Sequence, residues 1–183
     1  MEQEARMNYK NTFRRAALIL WLLICIFLSA CVSVNVDNDV LETGNISTLD
    51  AGYDKVFAVD TGGMLWGWGQ NTSNTLQIES DESLFPIEVI DSVKSVSNGI
   101  DFVMVVRMDD TLWGWGNNKD GQMGLWTNTE IEDIPIKIMD DVSAVSSGWG
   151  FSAVLKKDDS LWVAGSNHFG ILGKNTSTTV PDN

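Results

Sequence analysis

Short apolar runs alternate with polar turns along most of the chain after residue 49. In residues 92–140 the runs are SVKSVS, VMVVRM, TLWGWG and PIKIM, and Gly, Asn and Asp bound them. Runs of this length, rich in Val, Ile, Met and Trp, predict β-strands. The triplets TGG at 61–63, MDD at 108–110 and KDD at 157–159 predict hairpin tips between the second and third strands of each unit. The pattern therefore predicts an all-β chain built from four-stranded units.

These units repeat at a nearly constant period. The stretch LWGWG begins at Leu65 and at Leu112, and the related LWVAG begins at Leu161, which gives spacings of 47 and 49 residues. Thirteen residues before each of these leucines stands a glycine, namely Gly52, Gly99 and Gly148. A four-stranded unit with this period is typical of a β-propeller blade. The predicted blades span residues 49–91, 92–140 and 141–183, and the third is truncated.

The ordered landmarks resemble the repeat of the regulator of chromosome condensation family. The second copy carries VSNG, LWGWGNN and GQMG, and the third keeps LWVAGSNHFGILG. The first copy, LWGWGQNTSNTLQI, lacks the Gly-x-x-Gly end, and Lys55, Phe102 and Phe151 stand where the family often has His. The resemblance covers residues 49–183 and implies a seven-bladed propeller. Because the chain holds about three blades, we expect an open arc within a longer product; assembly of several copies and a decayed gene are the alternatives.

The tryptophans of the LWGWG stretches admit two interpretations. Side chains alternate along a strand, so the two tryptophans of one stretch share a face. Since propeller blades stack face to face, we predict packing between blades rather than a platform for a carbohydrate or a peptide. The predicted packing residues are Leu65, Trp66, Trp68, Leu112, Trp113, Trp115, Leu161 and Trp162.

Two further tryptophans fall outside this pattern. Trp149 follows Gly148 at a predicted turn between strands, and Trp126 lies in a predicted loop. Aromatic residues on loops are enriched in binding surfaces. We therefore predict that Trp126 and Trp149 contact a partner, with local packing as the alternative.

The first 31 residues have a different pattern. Arg14 and Arg15 precede an apolar run over residues 16–28, and small residues lead to Cys31. This arrangement is typical of a secretory signal, and LSAC resembles the lipobox of bacterial lipoproteins. The resemblance implies a signal peptide at 1–30, a lipid on Cys31 and a membrane location facing outside the cytoplasm, and the small and polar residues that follow predict a flexible tether at 31–48. An uncleaved membrane anchor, and translation from Met7 instead of Met1, are the alternatives.

Composition restricts the chemistry. The net charge of −13 argues against nucleic-acid binding, because phosphate backbones need clustered Lys and Arg. His168 is the only histidine, and neither Gly-x-Ser-x-Gly nor a phosphate-binding Gly-rich loop occurs. The acidic runs at 79–82 and 130–133 predict a solvated rim, with weak calcium binding as the alternative. We predict no catalytic residue, no cofactor and no metal site.

Together these features predict a non-catalytic, surface-anchored repeat protein that mediates protein–protein interaction through loops at the propeller ends. Its partner is an unidentified protein. One alternative is an extracellular carbohydrate-binding or cell-wall-binding module. A second alternative, implied by the family resemblance alone, is a regulator like a guanine nucleotide exchange factor, which the secretion signal and the acidity disfavour. A structural remnant without a function of its own is a third.

Overall fold

The structure is a computed structural model that describes residues 45–125 and 130–173. The described residues form three antiparallel sheets and one short 3-10 turn, Thr72–Asn74. The predicted signal peptide, most of the predicted tether, Cys31 and Trp126 lie outside these residues, as do residues 174–183. The prediction of an all-β partial propeller is confirmed, and each sheet is one blade.

The strands follow one another in sequence order within each blade. Blade 1 contains β1 (Ile46–Ala51), β2 (Lys55–Asp60), β3 (Leu65–Gln70) and β4 (Glu82–Ile90). Blade 2 contains β5 (Val93–Asn98), β6 (Phe102–Arg107), β7 (Leu112–Asn117) and β8 (Ile131–Met139). Blade 3 contains β9 (Val142–Ser147), β10 (Phe151–Lys156) and β11 (Leu161–Gly165).

The first strand begins earlier than the sequence predicted. Ile46 and Thr48 of β1 pair with Asp60 and Val59 of β2, and the Ser47 hydroxyl donates to the Val59 carbonyl at 3.0 Å. Residues 46–48, which the sequence placed in the tether, therefore belong to blade 1. Ser47 and Thr48 are polar and this edge strand is partly exposed, so the segment lacks the apolar pattern by which a strand is recognised in the sequence.

Both faces of blade 2 are buried. Along β6, Val103 and Val105 belong to the apolar cluster shared with blade 1, whereas the alternating residues Phe102, Met104 and Val106 belong to the cluster shared with blade 3. All five side chains are fully buried. Because side chains of a strand point alternately to its two faces, a continuous apolar run is what a sheet packed on both sides requires.

The blades are also joined along their first strands. β1 contacts β5, and β5 contacts β9. The Asp50 carboxylate accepts the Asn98 backbone N–H at 2.7 Å, and the Ser97 hydroxyl accepts the Ser147 backbone N–H at 2.8 Å. Asp50 and Ser97 each stand two residues before their blade glycine, so the same hydrogen bond joins each blade to the next.

Antiparallel order gives the sheets two distinct ends. One end carries the hairpins β2–β3, β6–β7 and β10–β11 and the connections between blades; it is called the hairpin end below. The other end carries the turns after β1, β5 and β9 and the loops after β3, β7 and β11; it is called the loop end. Hydrogen bonds hold the loop end together, since Gln70, Asn117 and Ser166 donate their backbone N–H groups to carbonyls of these turns.

Candidate functional site

The first tryptophan of each LWGWG-type stretch fixes a hairpin tip. The Trp66 indole N–H donates to the Asp60 carboxylate at 3.1 Å. In blade 2 the Trp113 indole donates to the Thr111 hydroxyl at 2.8 Å, and in blade 3 the Trp162 indole donates to the Ser160 hydroxyl at 3.2 Å. The first tryptophan therefore forms a hydrogen bond within its hairpin, in addition to the packing that the sequence predicts for it.

The second tryptophan has a different contact. Trp115 is fully buried, and its indole N–H donates to the Thr75 carbonyl of blade 1 at 2.9 Å. Trp68 in blade 1 is half-buried. In blade 3 the position is Ala164, and a Cβ placed on Gly124 of the blade 2 loop would stand 3.4 Å from the Ala164 Cβ. The small residue therefore leaves room for the loop of the preceding blade.

The other predicted packing residues differ between the blades. Leu65 and Leu112 are fully buried, Trp66 is 8% exposed and Trp113 is half-buried. Leu161 and Trp162 are 68% and 54% exposed. They lie on β11, the last described strand, and no described strand or blade lies beyond it to cover them.

The last glycine of each LWGWG-type stretch allows a close approach between two backbone segments, as the glycines of this stretch predict. Gly69, Gly116 and Gly165 have φ of 107°, 101° and 109°. A Cβ there would lie 2.3 to 2.4 Å from a carbonyl oxygen of the turn after the blade's first strand. Only glycine permits this approach. This glycine recurs in all three copies whereas the second tryptophan does not.

The predicted blade glycines lie at the loop end. A Cβ on Gly99 or Gly148 would stand 2.0 or 2.4 Å from the ring of Phe102 or Phe151, so each ring lies directly against its glycine. In blade 1 Lys55 replaces the phenylalanine. Its buried ammonium group donates to the Asp54 carboxylate at 2.6 Å and to the Ile100 carbonyl at 2.8 Å.

A hydrogen bond to an asparagine side chain, called the asparagine clamp below, recurs in the loops that follow the third strands. The side-chain oxygens of Asn71, Asn118 and Asn167 each accept the backbone N–H of the residue five positions later, at 2.7, 3.1 and 3.1 Å. The acceptor and donor positions are identical in the three blades. These loops are therefore held in one conformation although their sequences differ.

Blade 1 keeps the loop conformation without the Gly-x-x-Gly sequence. Gly121 and Gly124 have φ of 69°, and Asn74 and Gln77 at the equivalent positions have φ of 54° and 57°. Their side-chain amides donate to the Asp133 carbonyl of blade 2 at 3.0 and 2.9 Å. The exchange of glycine for Asn and Gln thus adds contacts between blades while the left-handed backbone is retained.

Exposed aromatic side chains gather at the loop end. Tyr53, Trp149 and Phe169 are 79%, 78% and 83% exposed. Two depressions, of about 360 and 420 Å³, meet at Trp149. The first is lined by the three blade glycines together with Tyr53 and Ile100. We call the surface formed by these two depressions the aromatic surface.

The second depression brings polar groups to the tryptophan. Asp120, from the loop of blade 2, lines it together with Trp149, Ser166, His168 and Phe169 of blade 3. The rings of His168 and Phe169 are in edge-to-face contact with centroids 4.5 Å apart. Of the two predicted partner contacts, Trp149 is thus placed at the centre of the aromatic surface, and Trp126 lies outside the described residues.

Cations are distributed unequally between the ends, although the hairpin end also carries eight carboxylates, namely Asp60, Asp91, Asp109, Asp110, Asp140, Asp141, Asp158 and Asp159. The hairpin end holds Lys94, Arg107, Lys137, Lys156 and Lys157. Only Lys55 and Lys119 of the described cations lie at the loop end, and Lys55 is buried against Asp54. The carboxylates at the loop end are Asp54, Glu79, Asp81, Asp101, Asp120 and Glu130. This end is therefore predominantly acidic.

Metal-binding groups and membrane-crossing helices are both absent from the described residues. Within residues 45–125 and 130–173, no group of three or more His, Cys, Asp or Glu is arranged to hold a metal ion. In the same part of the chain, no helix is long and apolar enough to cross a membrane. The aromatic surface presents exposed aromatic side chains with the Asp120 carboxylate beside them.

Comparison with protein families supports the repeat assignment. Two models, both described as the regulator of chromosome condensation (RCC1) repeat, match residues 109–155 and 142–171. Residues 109–171 are therefore similar to the regulator of chromosome condensation repeat. The matched residues include the LWGWG stretch of blade 2 and the LWVAG stretch of blade 3. Among curated protein sequences, none matches the chain significantly.

Solved structures with RCC1-type and related propellers share the fold. Yeast RCC1 (Prp20) bound to Kap60 has a TM-score of 0.62 and 24% identity, over 69% of this chain and 31% of that chain. Human WBSCR16 has a TM-score of 0.64 and 23% identity, over 76% of this chain and 37% of that chain. This chain therefore spans about a third of the length of these proteins, and identities at this level establish the fold alone.

Proposed function

We propose that this protein is a non-catalytic interaction module that binds a protein partner through the aromatic surface at its loop end. The observation that carries the proposal is the exposure of Tyr53, Trp149 and Phe169 at one end of the sheets. Large aromatic side chains in water are unfavourable unless a partner covers them, and they are enriched among residues that dominate binding energy.

The rigidity of the loop end supports this proposal. The asparagine clamps and the close approach at Gly69, Gly116 and Gly165 fix the loops to the sheets. A surface that is already ordered loses little conformational entropy when it binds. The neighbouring structures agree with such a role, since yeast Prp20 is bound to Kap60 in one and is described with its binding to Gsp1p and histones in another.

The proposal also places the protein at the outer face of a cell membrane, held by a lipid on Cys31. The support is the basic start, the apolar run at 16–28 and the LSAC sequence. A Cys31→Ala variant should lose incorporation of radiolabelled palmitate. Labelling that persists at the wild-type level in this variant would contradict the anchor.

Photo-crosslinking tests the binding surface. Trp149 is replaced by p-benzoylphenylalanine in the full chain, and Phe85, which is 68% exposed on β4 and lies outside the lining of the aromatic surface, is replaced in a matched control. Irradiation in the cells that produce the protein should yield discrete protein adducts from position 149 and few from position 85. Equal adduct patterns at the two positions would contradict a binding role for the aromatic surface.

A carbohydrate-binding function is the second candidate. Asp120 and Ser166 line the same depression as Trp149, and an exposed indole beside hydrogen-bonding groups also suits a sugar ring. A glycan array with the full chain separates the candidates. Specific glycan binding that Trp149→Ala abolishes would favour this function over the protein partner.

A further inference from the structure

We infer that the aromatic surface selects a positively charged protein segment rich in arginine and lysine. This inference rests on the proposed function and adds the chemical class of the partner. It follows from three observations: the charge at the loop end, the position of one carboxylate beside Trp149, and a similar group of residues inside blade 2.

The first observation is the charge imbalance at the loop end. Six carboxylates lie there, and the described cations at this end are Lys119 and the buried Lys55. The ion pairs Lys94–Asp110, Lys157–Asp110, Arg107–Asp91 and Lys137–Asp140 all lie at the hairpin end. The loop end therefore attracts cationic partners and repels anionic ones, including nucleic acids and acidic proteins.

The second observation is the position of Asp120. Its carboxylate oxygen would stand 3.4 Å from a Cβ on Gly150, the residue next to Trp149. Asp120 is exposed and takes part in none of the ion pairs between described residues. A carboxylate and an exposed indole therefore line one depression of about 420 Å³.

The third observation is that another part of the chain holds a cation between an indole ring and a carboxylate. In blade 2 the Arg107 guanidinium lies 5.2 Å from the centroid of the Trp113 ring and 3.2 Å from the Asp91 carboxylate. Cation–π attraction and a charge-assisted hydrogen bond act together on that one cation. At the loop end the carboxylate of Asp120 and the indole of Trp149 are in place, and an arginine or lysine of the partner supplies the cation.

Fluorescence anisotropy with defined peptides tests the inference. The probe is a fluorescein-labelled peptide of alternating arginine and serine, and the matched probe alternates glutamate and serine. We expect the full chain in detergent to bind the arginine peptide, more weakly at high salt, and not to bind the glutamate peptide. Asp120→Asn and Trp149→Ala should each weaken binding about tenfold.

Two variants provide matched controls. Asp159→Asn removes the same charge at the hairpin end, at a residue whose φ of 65° asparagine also adopts. Phe85→Ala removes an exposed aromatic side chain of β4. Both should bind the arginine peptide as the wild type does. No binding of this peptide, or equal weakening by Asp120→Asn and Asp159→Asn, would overturn the inference.

The crosslinking experiment separates this inference from the function on which it rests. Protein adducts at position 149, together with no binding of the arginine peptide, would leave the proposed function standing and overturn the inference. If position 149 gives no specific adducts and the peptide does not bind, both are overturned.

Discussion

The two ends of the sheets are built from the same repeat, yet they differ in how their polar groups are used. At the hairpin end the carboxylates face donors within the chain: Asp60 accepts from an indole and two backbone N–H groups, and Asp110 pairs with two lysines. At the loop end Asp120 is exposed and outside every ion pair between described residues, beside the 78% exposed Trp149.

This difference separates stability from binding. Asp60 and Asp110 at the hairpin end form hydrogen bonds within the chain, so their replacement should lower the free energy of unfolding. Asp120 at the loop end keeps its hydrogen-bonding capacity for a partner, while the glycines and asparagine clamps around it hold the backbone. The exposed residues of this surface can therefore change in sequence without loss of the blades, because only buried loop side chains such as Leu76 and Met123 belong to the core.

The largest expected effect is at Asp60. Its carboxylate accepts the backbone N–H groups of Gly62 and Met64 at 2.8 and 3.0 Å and the indole N–H of Trp66 at 3.1 Å. Burial alone would raise the pKa of Asp60, but these hydrogen bonds together lower it. Asp60→Ala leaves one buried indole N–H and two partly buried backbone N–H groups without an acceptor and should lower the free energy of unfolding by about 3 kcal/mol. Urea unfolding followed by tryptophan fluorescence measures it.

Asp120→Ala is the matched change at the loop end. No side-chain hydrogen bond of Asp120 ties it to another described residue, so the free energy of unfolding should change by less than about 0.5 kcal/mol. Similar losses in the two variants would contradict the proposed division between the ends.

The sequence predicted the strands and their repeat better than it predicted the aromatic surface. Strand alternation, the period and the hairpin tips were readable because each reflects local chemistry, such as the Asp-x-Thr and Asp-x-Ser sequences before LW. The convergence of Asp120 of blade 2 with Trp149 of blade 3 was not readable, because it depends on the packing of separate blades. Likewise, the sequence of blade 1 lacks Gly-x-x-Gly and does not show that Asn74 and Gln77 adopt the same left-handed backbone.

The next effect concerns the backbone of the loop end. Gly170 has a φ of 70°, and a Cβ there would have no atom within 4 Å, so only backbone strain opposes substitution. Gly170→Ala should lower the free energy of unfolding by about 1 kcal/mol. Gly170→Asn should cost less, because asparagine adopts this conformation more readily, as Asn74 does in blade 1. Equal unfolding free energies for the two variants would show that backbone conformation does not stabilise this loop.

The smallest effect is the acid sensitivity of Asp110, which joins Lys94 of blade 2 to Lys157 of blade 3. Hydrogen bonds from Lys157 and Lys94 lower the pKa of Asp110 to about 2. Since its pKa is lower in the folded than in the unfolded protein, the ion pairs stabilise the fold fully above pH 3.8, and this contribution disappears as the pH falls towards 2. The three groups are partly exposed, so the contribution is small and falls with salt.

Asp110→Asn keeps a residue that tolerates the φ of 62° at this position. Urea unfolding at several pH values should show the wild type more stable than this variant near neutral pH, with the difference vanishing near pH 2. For Asp120→Asn, at the loop end, the difference from the wild type should stay near zero throughout. A gap for Asp110→Asn that persists unchanged at pH 2 would mean that the asparagine alters packing rather than the ion pairs.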